Sequence, residues 1–263
     1  MSDPRTTPAT QTQSMPARII APVVDLLRTP DGSRDRQLVM GEDVTILHTD
    51  GDHRLIRAGK DGYHGYLKAK ELGPPGAAAY RVTARSTQTY RDPDIKSPDR
   101  QTLSFGSRLI LLGETASFIE TDMGFVPRQH VHPIDAHGTD PAAIATVFLG
   151  TPYLWGGNSG FGIDCSGLVQ AALLACQIPC PGDSDQQEQR LGERLPENAP
   201  YQRNDLIFWR GHVALVSDPQ TLIHANAGHM TTMYEPIKTA ITRIDQQGDG
   251  QPTAHKRIVL SSC

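Results

Sequence analysis

Cys165 stands in Asp164-Cys165-Ser166-Gly167, after a glycine-rich approach containing Trp155-Gly156-Gly157 and Gly160-Phe161-Gly162. An apolar run over 168–176 follows at once. Within it Leu168, Ala172, Leu173 and Ala175 recur at helical spacing. The pattern places Cys165 at or just inside a helix N-terminus. There the helix dipole and unpaired backbone N–H groups favour thiolate over thiol, and thiolate is the nucleophilic form. The same stretch also suits a buried structural cysteine, because a free thiol packs like a small hydrophobe. A base decides between the two.

An imidazole that serves a thiol needs its own orienting partner. Downstream, 206–209, 212–217 and 221–225 read as short strands, and Ser217-Asp218-Pro219-Gln220 as the turn joining the last two. A hairpin centred on Asp218 sets His212 opposite His224 on one face. A slip of one residue would put them on opposite faces. Two histidines on one face also fit a packed pair or half a metal site. For a metal, Cys165 is the one further ligand in view and no carboxylate completes a usual set, so neither metal nor cofactor is expected.

Read in order, Tyr-Leu-Trp-Gly-Gly, Asp-Cys-Ser-Gly-Leu-Val, Asp-Leu-Ile-Phe-Trp, Gly-His-Val-Ala-Leu-Val and Leu-Ile-His-Ala span roughly 140–240. In this order the blocks resemble the NlpC/P60 family of papain-like cysteine peptidases, which cut bacterial cell-wall peptides. The resemblance implies Cys165 as nucleophile, His212 as general base and His224 as the orienting third residue. It also implies that Tyr153 helps stabilise the oxyanion. His229 matches no family position and reads as a surface histidine.

The chain as a whole, 263 residues, sets bounds. Twenty-five basic and 29 acidic residues give a net charge of −4, with no basic surplus to attract nucleic acid. No apolar run approaches the ~18 residues of a membrane span. Residues 1–16 are polar and rich in Pro and Thr, and read as a disordered tail without an export signal. Cys165, Cys176, Cys180 and Cys263 form no spaced framework. A cytoplasmic, reduced protein is the expectation.

Residues 17–75 show short strands with turn signals about every ten residues, the mark of a small β-barrel or sandwich. Residues 80–135 repeat the plan. Arg91-Asp92-Pro93-Asp94 echoes Arg28-Thr29-Pro30-Asp31, and Gly124-Phe125-Val126 echoes Gly65-Tyr66-Leu67. Both units resemble bacterial SH3-like (SH3b) domains, which often accompany NlpC/P60 domains. Residues 138–263 form the third part. They hold a helix capped by Asp140, the cysteine helix, a helical stretch over 184–191, the histidine strands, and further strands over 226–263 such as 256–260. The expected architecture is two SH3-like β-barrels followed by an α+β papain-like catalytic domain.

Two SH3-like units, the Tyr-Leu-Trp-Gly-Gly block and Asp183-Ser184-Asp185-Gln186 together are similar to γ-D-glutamyl-L-diamino acid endopeptidases. In those enzymes the first SH3-like domain closes one end of the cleft, so the site fits short peptides with a free N-terminal L-alanine. The resemblance implies Asp164, Ser166 and Ser184 as partners of that amine, with Tyr63 and an acid after the Met-Gly turn from the first domain. That acid is Glu42 or its neighbour Asp43, with Glu42 preferred. Trp155 would wall the pocket. Asp183 or Ser184 also suits a helix N-cap. The expected reaction is hydrolysis of the γ-D-glutamyl bond to meso-diaminopimelate or L-lysine in murein peptides, for recycling. The alternatives are an endopeptidase acting on intact wall, and a peptide-binding module without catalysis.

Overall fold

The structure is a computed structural model, and it describes residues 3–259. Cys263, named above among the thiols, lies outside them. The chain divides into two compact units. One takes the residues up to Ala136 together with Asn158–Phe161; the other takes His137–Gly157 and everything from Gly162.

In the first unit a seven-stranded antiparallel sheet uses Met15–Ile19, Val23–Leu27, Arg34–Val39, Asp43–Asp50, His53–Ala58, His64–Lys68 and Leu72–Gly73. Period-two alternation buries Val24 and Leu26 and exposes Asp25. Ile19, Leu38, Val44, Ile56 and Leu67 complete the core. A second set of strands encloses its own core of Val82, Leu103, Leu109, Ile119 and Val126. The element order repeats. Val23–Leu27 corresponds to Ser86–Tyr90, Arg34–Val39 to Asp99–Ser104, and His64–Lys68 to Gly124–Pro127. The short 3-10 turn Ala69–Glu71 recurs as Arg128–His130.

Residues of the expected tail make backbone bonds to the sheet. The backbone N–H groups of Thr12 and Gln13 both donate to the Leu47 carbonyl, at 2.9 and 3.0 Å, and His64 N–H donates to the Arg5 carbonyl at 3.0 Å. The reason lies in the sheet. Ile46 pairs with Ile56 and His48 with Leu55, so Leu47 sits at a bulge that the neighbouring strand does not satisfy. A polar tail needs no core of its own to be ordered by such a bulge.

In the second unit a six-stranded antiparallel sheet runs in the order Glu193–Arg194, Ala254–Arg257, Leu206–Trp209, His212–Asp218, Thr221–Asn226, Thr231–Pro236. Four helices accompany it: α1 (Pro141–Ala145), α2 (Cys165–Ala175), α3 (Ser184–Arg190) and α4 (Ile237–Gln246). Asp140 caps α1, its carboxylate accepting from Ala143 N–H. Helix α2 lies against the strands that carry the two histidines. The stretch after 226, expected as strands alone, also contains α4. Its Ile237, Ala240 and Ile244 pack on Ile207, Trp209, Ala214, Val216 and Leu222, covering one face of the sheet. Among the described residues the last strand is Ala254–Arg257, which begins two residues before the expected 256–260, whose residue 260 lies outside them.

Candidate active site

The Gly-Gly turn is fixed by geometry. Gly156 has φ of +71°, a left-handed value that side chains disfavour. A Cβ on Gly157 would stand 2.6 Å from the Gly162 carbonyl oxygen. The turn returns the chain to Asp164, whose Oδ2 accepts from Gly156 N–H at 3.0 Å. Asp164 Oδ1 accepts from Gly167 N–H at 2.6 Å and from the Ser166 hydroxyl at 3.0 Å. Asp164 is thus the N-cap of α2, and Cys165 is the first helical residue, as its spacing implies. Gln187 of α3 donates to the Ser166 carbonyl at 2.9 Å and holds the next turn.

The Cys165 thiol is 6% exposed, and its Sγ donates weakly to the carbonyl of Gly211, the residue before His212, at 3.9 Å. Burial works against the expected thiolate. Burial, followed by the charge of Asp164, pushes the thiol up to about 12, against the pull of the Val213, Ser166 and Cys165 backbone N–H groups. The helix N-terminus is in place, but desolvation outweighs it.

The histidine register also departs from expectation. Leu215 pairs with Ile223 and Val216 with Leu222. This is two residues from a hairpin centred on Asp218, and a bulge at Ser217 absorbs the difference. A shift of two keeps both histidines on one face and makes them diagonal neighbours. His212 Nε2 lies 2.9 Å from His224 Nδ1. Burial, then His224 and Arg243, lowers His212 to about 3.

Beyond the pair lie groups that the sequence reading did not single out. His224 is fully buried and its Nε2 is 3.0 Å from Glu235 Oε2. Glu235 forms a two-pronged ion pair with Arg243 of α4, at 3.0 and 2.7 Å. Asn226 Nδ2 is also 3.0 Å from His224 Nε2. The Asn226 oxygen accepts from His229 N–H, so exposed His229 reaches the site through that amide. The available signal was the spacing of Ile237, Ala240, Ile241 and Ile244, which marks a helix turning one face, and Arg243 with it, toward the strand that carries Glu235.

Tyr153 is placed with the thiol. Burial, then the charges of Cys165 and Asp164, raises its phenol above the ordinary value, so it remains a hydrogen-bond donor. Trp155 is 70% exposed. Ser184 opens α3, and Asp183 precedes it without a side-chain cap bond. Glu42 and Tyr63 belong to the other unit. Glu42 is buried rather than solvated: Oε1 accepts from Lys60 Nζ at 2.8 Å and Oε2 has no partner. Asp43 is exposed and paired with Arg108 at 2.9 Å. Tyr63 is buried, with the Arg36 guanidinium 5.6 Å over its ring. Among the described residues no group of three or more His, Cys, Asp or Glu could hold a metal, and no helix is long and apolar enough to cross a membrane.

Residues 150–246 match the NlpC/P60 family, and residues 26–72 match the bacterial dipeptidyl-peptidase Sh3 domain. A γ-D-glutamyl-L-lysine dipeptidyl-peptidase of Bacillus cereus is 27% identical over 240 residues, covering 78% of this chain and 71% of its own. A dipeptidyl-peptidase 6 of Lysinibacillus sphaericus is 28% identical over 246 residues, covering 81% and 89%. An NlpC/P60 family protein of Bacillus cereus shares the fold, with a TM-score of 0.77 at 21% identity over 92% of this chain and 99% of that one.

Proposed function

We propose, from the match of residues 150–246 to the NlpC/P60 family of cysteine peptidases and of residues 26–72 to a dipeptidyl-peptidase-type Sh3 domain, that the chain hydrolyses the γ-D-glutamyl bond to a diamino acid in cell-wall peptides carrying a free N-terminal L-alanine. The observation that carries the reading is the thiol at the first position of α2, beside the strand whose His212 is paired with His224. The names of the relatives supply the substrate class.

The reaction begins from the uncharged pair. Cys165 Sγ attacks the γ-carbonyl carbon of the D-glutamyl residue as its proton passes to His212. The carbonyl oxygen takes the negative charge and accepts from the Tyr153 hydroxyl. The C–N bond then breaks, and the diamino acid leaves with the proton that His212 held. Water, deprotonated by His212, releases L-Ala-D-Glu from the thioester and restores the thiol. His224 steadies the imidazolium that forms twice in this cycle.

Asp164 and Ser166, with Ser184, are the amine partners in this reading. A free amine restricts the enzyme to fragments already released from glycan, which fits recycling. Incubating L-Ala-γ-D-Glu-meso-diaminopimelate and its L-lysine counterpart with the protein should release the diamino acid, read by mass spectrometry. N-acetylation should slow cleavage by at least ~100-fold, since each 1.4 kcal/mol is a factor of ten. Equal cleavage of free and acetylated peptide, or no cleavage of either, refutes the assignment.

A further inference from the structure

We infer that Glu235, held by Arg243, is a positioning residue that selects the His224 tautomer and so leaves His212 able to accept the thiol proton. The inference rests on the reading above, in which Cys165 and His212 carry out the chemistry.

The three side chains run obliquely across three adjacent strands. His224 pairs in register with Met233 and Leu222 with Glu235, so Glu235 shares a face with His224 and is its diagonal neighbour. That face is the one α4 covers, and α4 supplies Arg243. The proton count follows from the distances. His212 has one nitrogen, Nε2, committed to His224 Nδ1. To serve as base it must carry its proton on Nε2 and keep Nδ1 bare. It then donates from Nε2, and His224 Nδ1 must accept. A neutral imidazole that accepts at Nδ1 carries its proton on Nε2. Burial lowers His224 despite the pull of Glu235, which favours its neutral ring. The group that takes the Nε2–H is Glu235 Oε2, 3.0 Å away.

A competing arrangement is built into the same site. Asn226 turns its amide oxygen to His229, which leaves its NH2 group 3.0 Å from His224 Nε2. That donor would suit a bare Nε2, with the His224 proton moved to Nδ1. His212 would then accept at Nε2, carry its proton on Nδ1 and be useless as a base. The carboxylate decides the contest. A bare Nε2 would set its lone pair against an anionic oxygen, whereas Nε2–H makes a charge-assisted bond. Arg243 keeps that oxygen anionic: burial pushes Glu235 up, but the bonds from His224 and Arg243 outweigh it and bring it to about 2. Without Arg243, Glu235 would be a buried carboxylate whose charge rests on His224 alone.

The test uses the full-length protein and the L-Ala-γ-D-Glu-diamino acid peptide. Glu235→Gln lets an amide NH2 face Nε2 and joins Asn226 in favouring the wrong tautomer. It should lower kcat by about 30-fold or more, at the upper end of what an outer-shell partner of a functional histidine commands. KM should change by less than about threefold, with the urea midpoint showing that the variant is folded. Adding Asn226→Asp restores an acceptor at Nε2 and should recover at least about a third of the lost kcat. A purely structural Glu235 predicts no such rescue, because the second change adds a buried charge. Alkylation of Cys165 by iodoacetamide, followed on its tryptic peptide, should show the same order without substrate. A kcat within about threefold of the parent in Glu235→Gln, or an undiminished loss in the double variant, overturns the inference. Full loss in Cys165→Ala alongside either result leaves the peptidase reading standing; full activity in Cys165→Ala overturns that reading instead.

Discussion

Lowering the pH to 5 discriminates between an uncharged resting pair and an ordinary imidazole base. An imidazole with the usual pKa of 6.5 is only about 3% neutral at pH 5, so a base of that kind would lose about 25-fold in kcat/KM between pH 7 and pH 5. His212 is lowered to about 3 by burial, then by His224 and Arg243. At pH 5 it is still about 99% neutral, by the same relation. The Cys165 thiol, pushed up to about 12 by burial and Asp164, does not titrate in this range. The expected result is therefore a kcat/KM at pH 5 of at least about half its value at pH 7, measured by mass spectrometry of the tripeptide products. An ion pair would also give a flat profile, so a second reading is needed. Thiolate absorbs near 240 nm, and the difference spectrum between the parent and Cys165→Ala at pH 7 should show none. Either a 25-fold fall in kcat/KM or a full thiolate band refutes the uncharged pair.

Burial of neutral His212 also ties stability to pH. Its folded pKa lies below its unfolded one, so the unfolded chain binds the extra proton as pH falls through 6.5. Urea unfolding should show stability falling below pH 6.5 by up to about 1.4 kcal/mol per unit, and His212→Asn should flatten that slope. Asp205, 1% exposed, accepts from His255 at 2.7 Å and from Arg257 at 2.8 Å. Asp205→Asn leaves the Arg257 guanidinium without its charge partner and should cost about 3–5 kcal/mol in urea unfolding; a loss under about 1 kcal/mol would show that the cluster is idle. Gly156→Ala places a Cβ at φ +71° and strains the bond to Asp164, so it should lose about 1–2 kcal/mol and slow Cys165 alkylation. Unchanged alkylation would separate the turn from the thiol.

The parts of the site that were legible in sequence are local or periodic. Helix α2, its Asp164 cap and the placement of Cys165 follow from adjacent residues and an apolar repeat. The shared face of His212 and His224 survives the bulge at Ser217 because side chains alternate with period two and the shift is two. The state of the thiol was not legible: the helix end is visible in a sequence, but the depth of burial that outweighs it arises only when the sheet and helices close over it. Glu235 was hidden for a different reason. A single Glu in Thr-Thr-Met-Tyr-Glu-Pro reads as a solvated strand residue. Its meaning comes from a diagonal across two strands and from a helix that follows it. In the tail, the ordering partner is a bulge carbonyl some 35 residues away, which no tail composition announces.

Asp164 has a consequence for how binding and reactivity are linked. Its charge opposes ionisation of Cys165, second only to burial. In the proposed substrate reading an ammonium group seated against Asp164 would cancel part of that opposition, so that occupancy of the amine site and acidity of the thiol would be coupled free energies. Coupling of this kind is reciprocal: the ligand that makes the thiol more acidic is bound more tightly by the thiolate form. The thiol is then least reactive when the cleft is empty and becomes more so as its proper substrate arrives. A buried nucleophile of this kind is sheltered from stray electrophiles and oxidants, and selectivity is exercised in the ionisation step as well as in the fit.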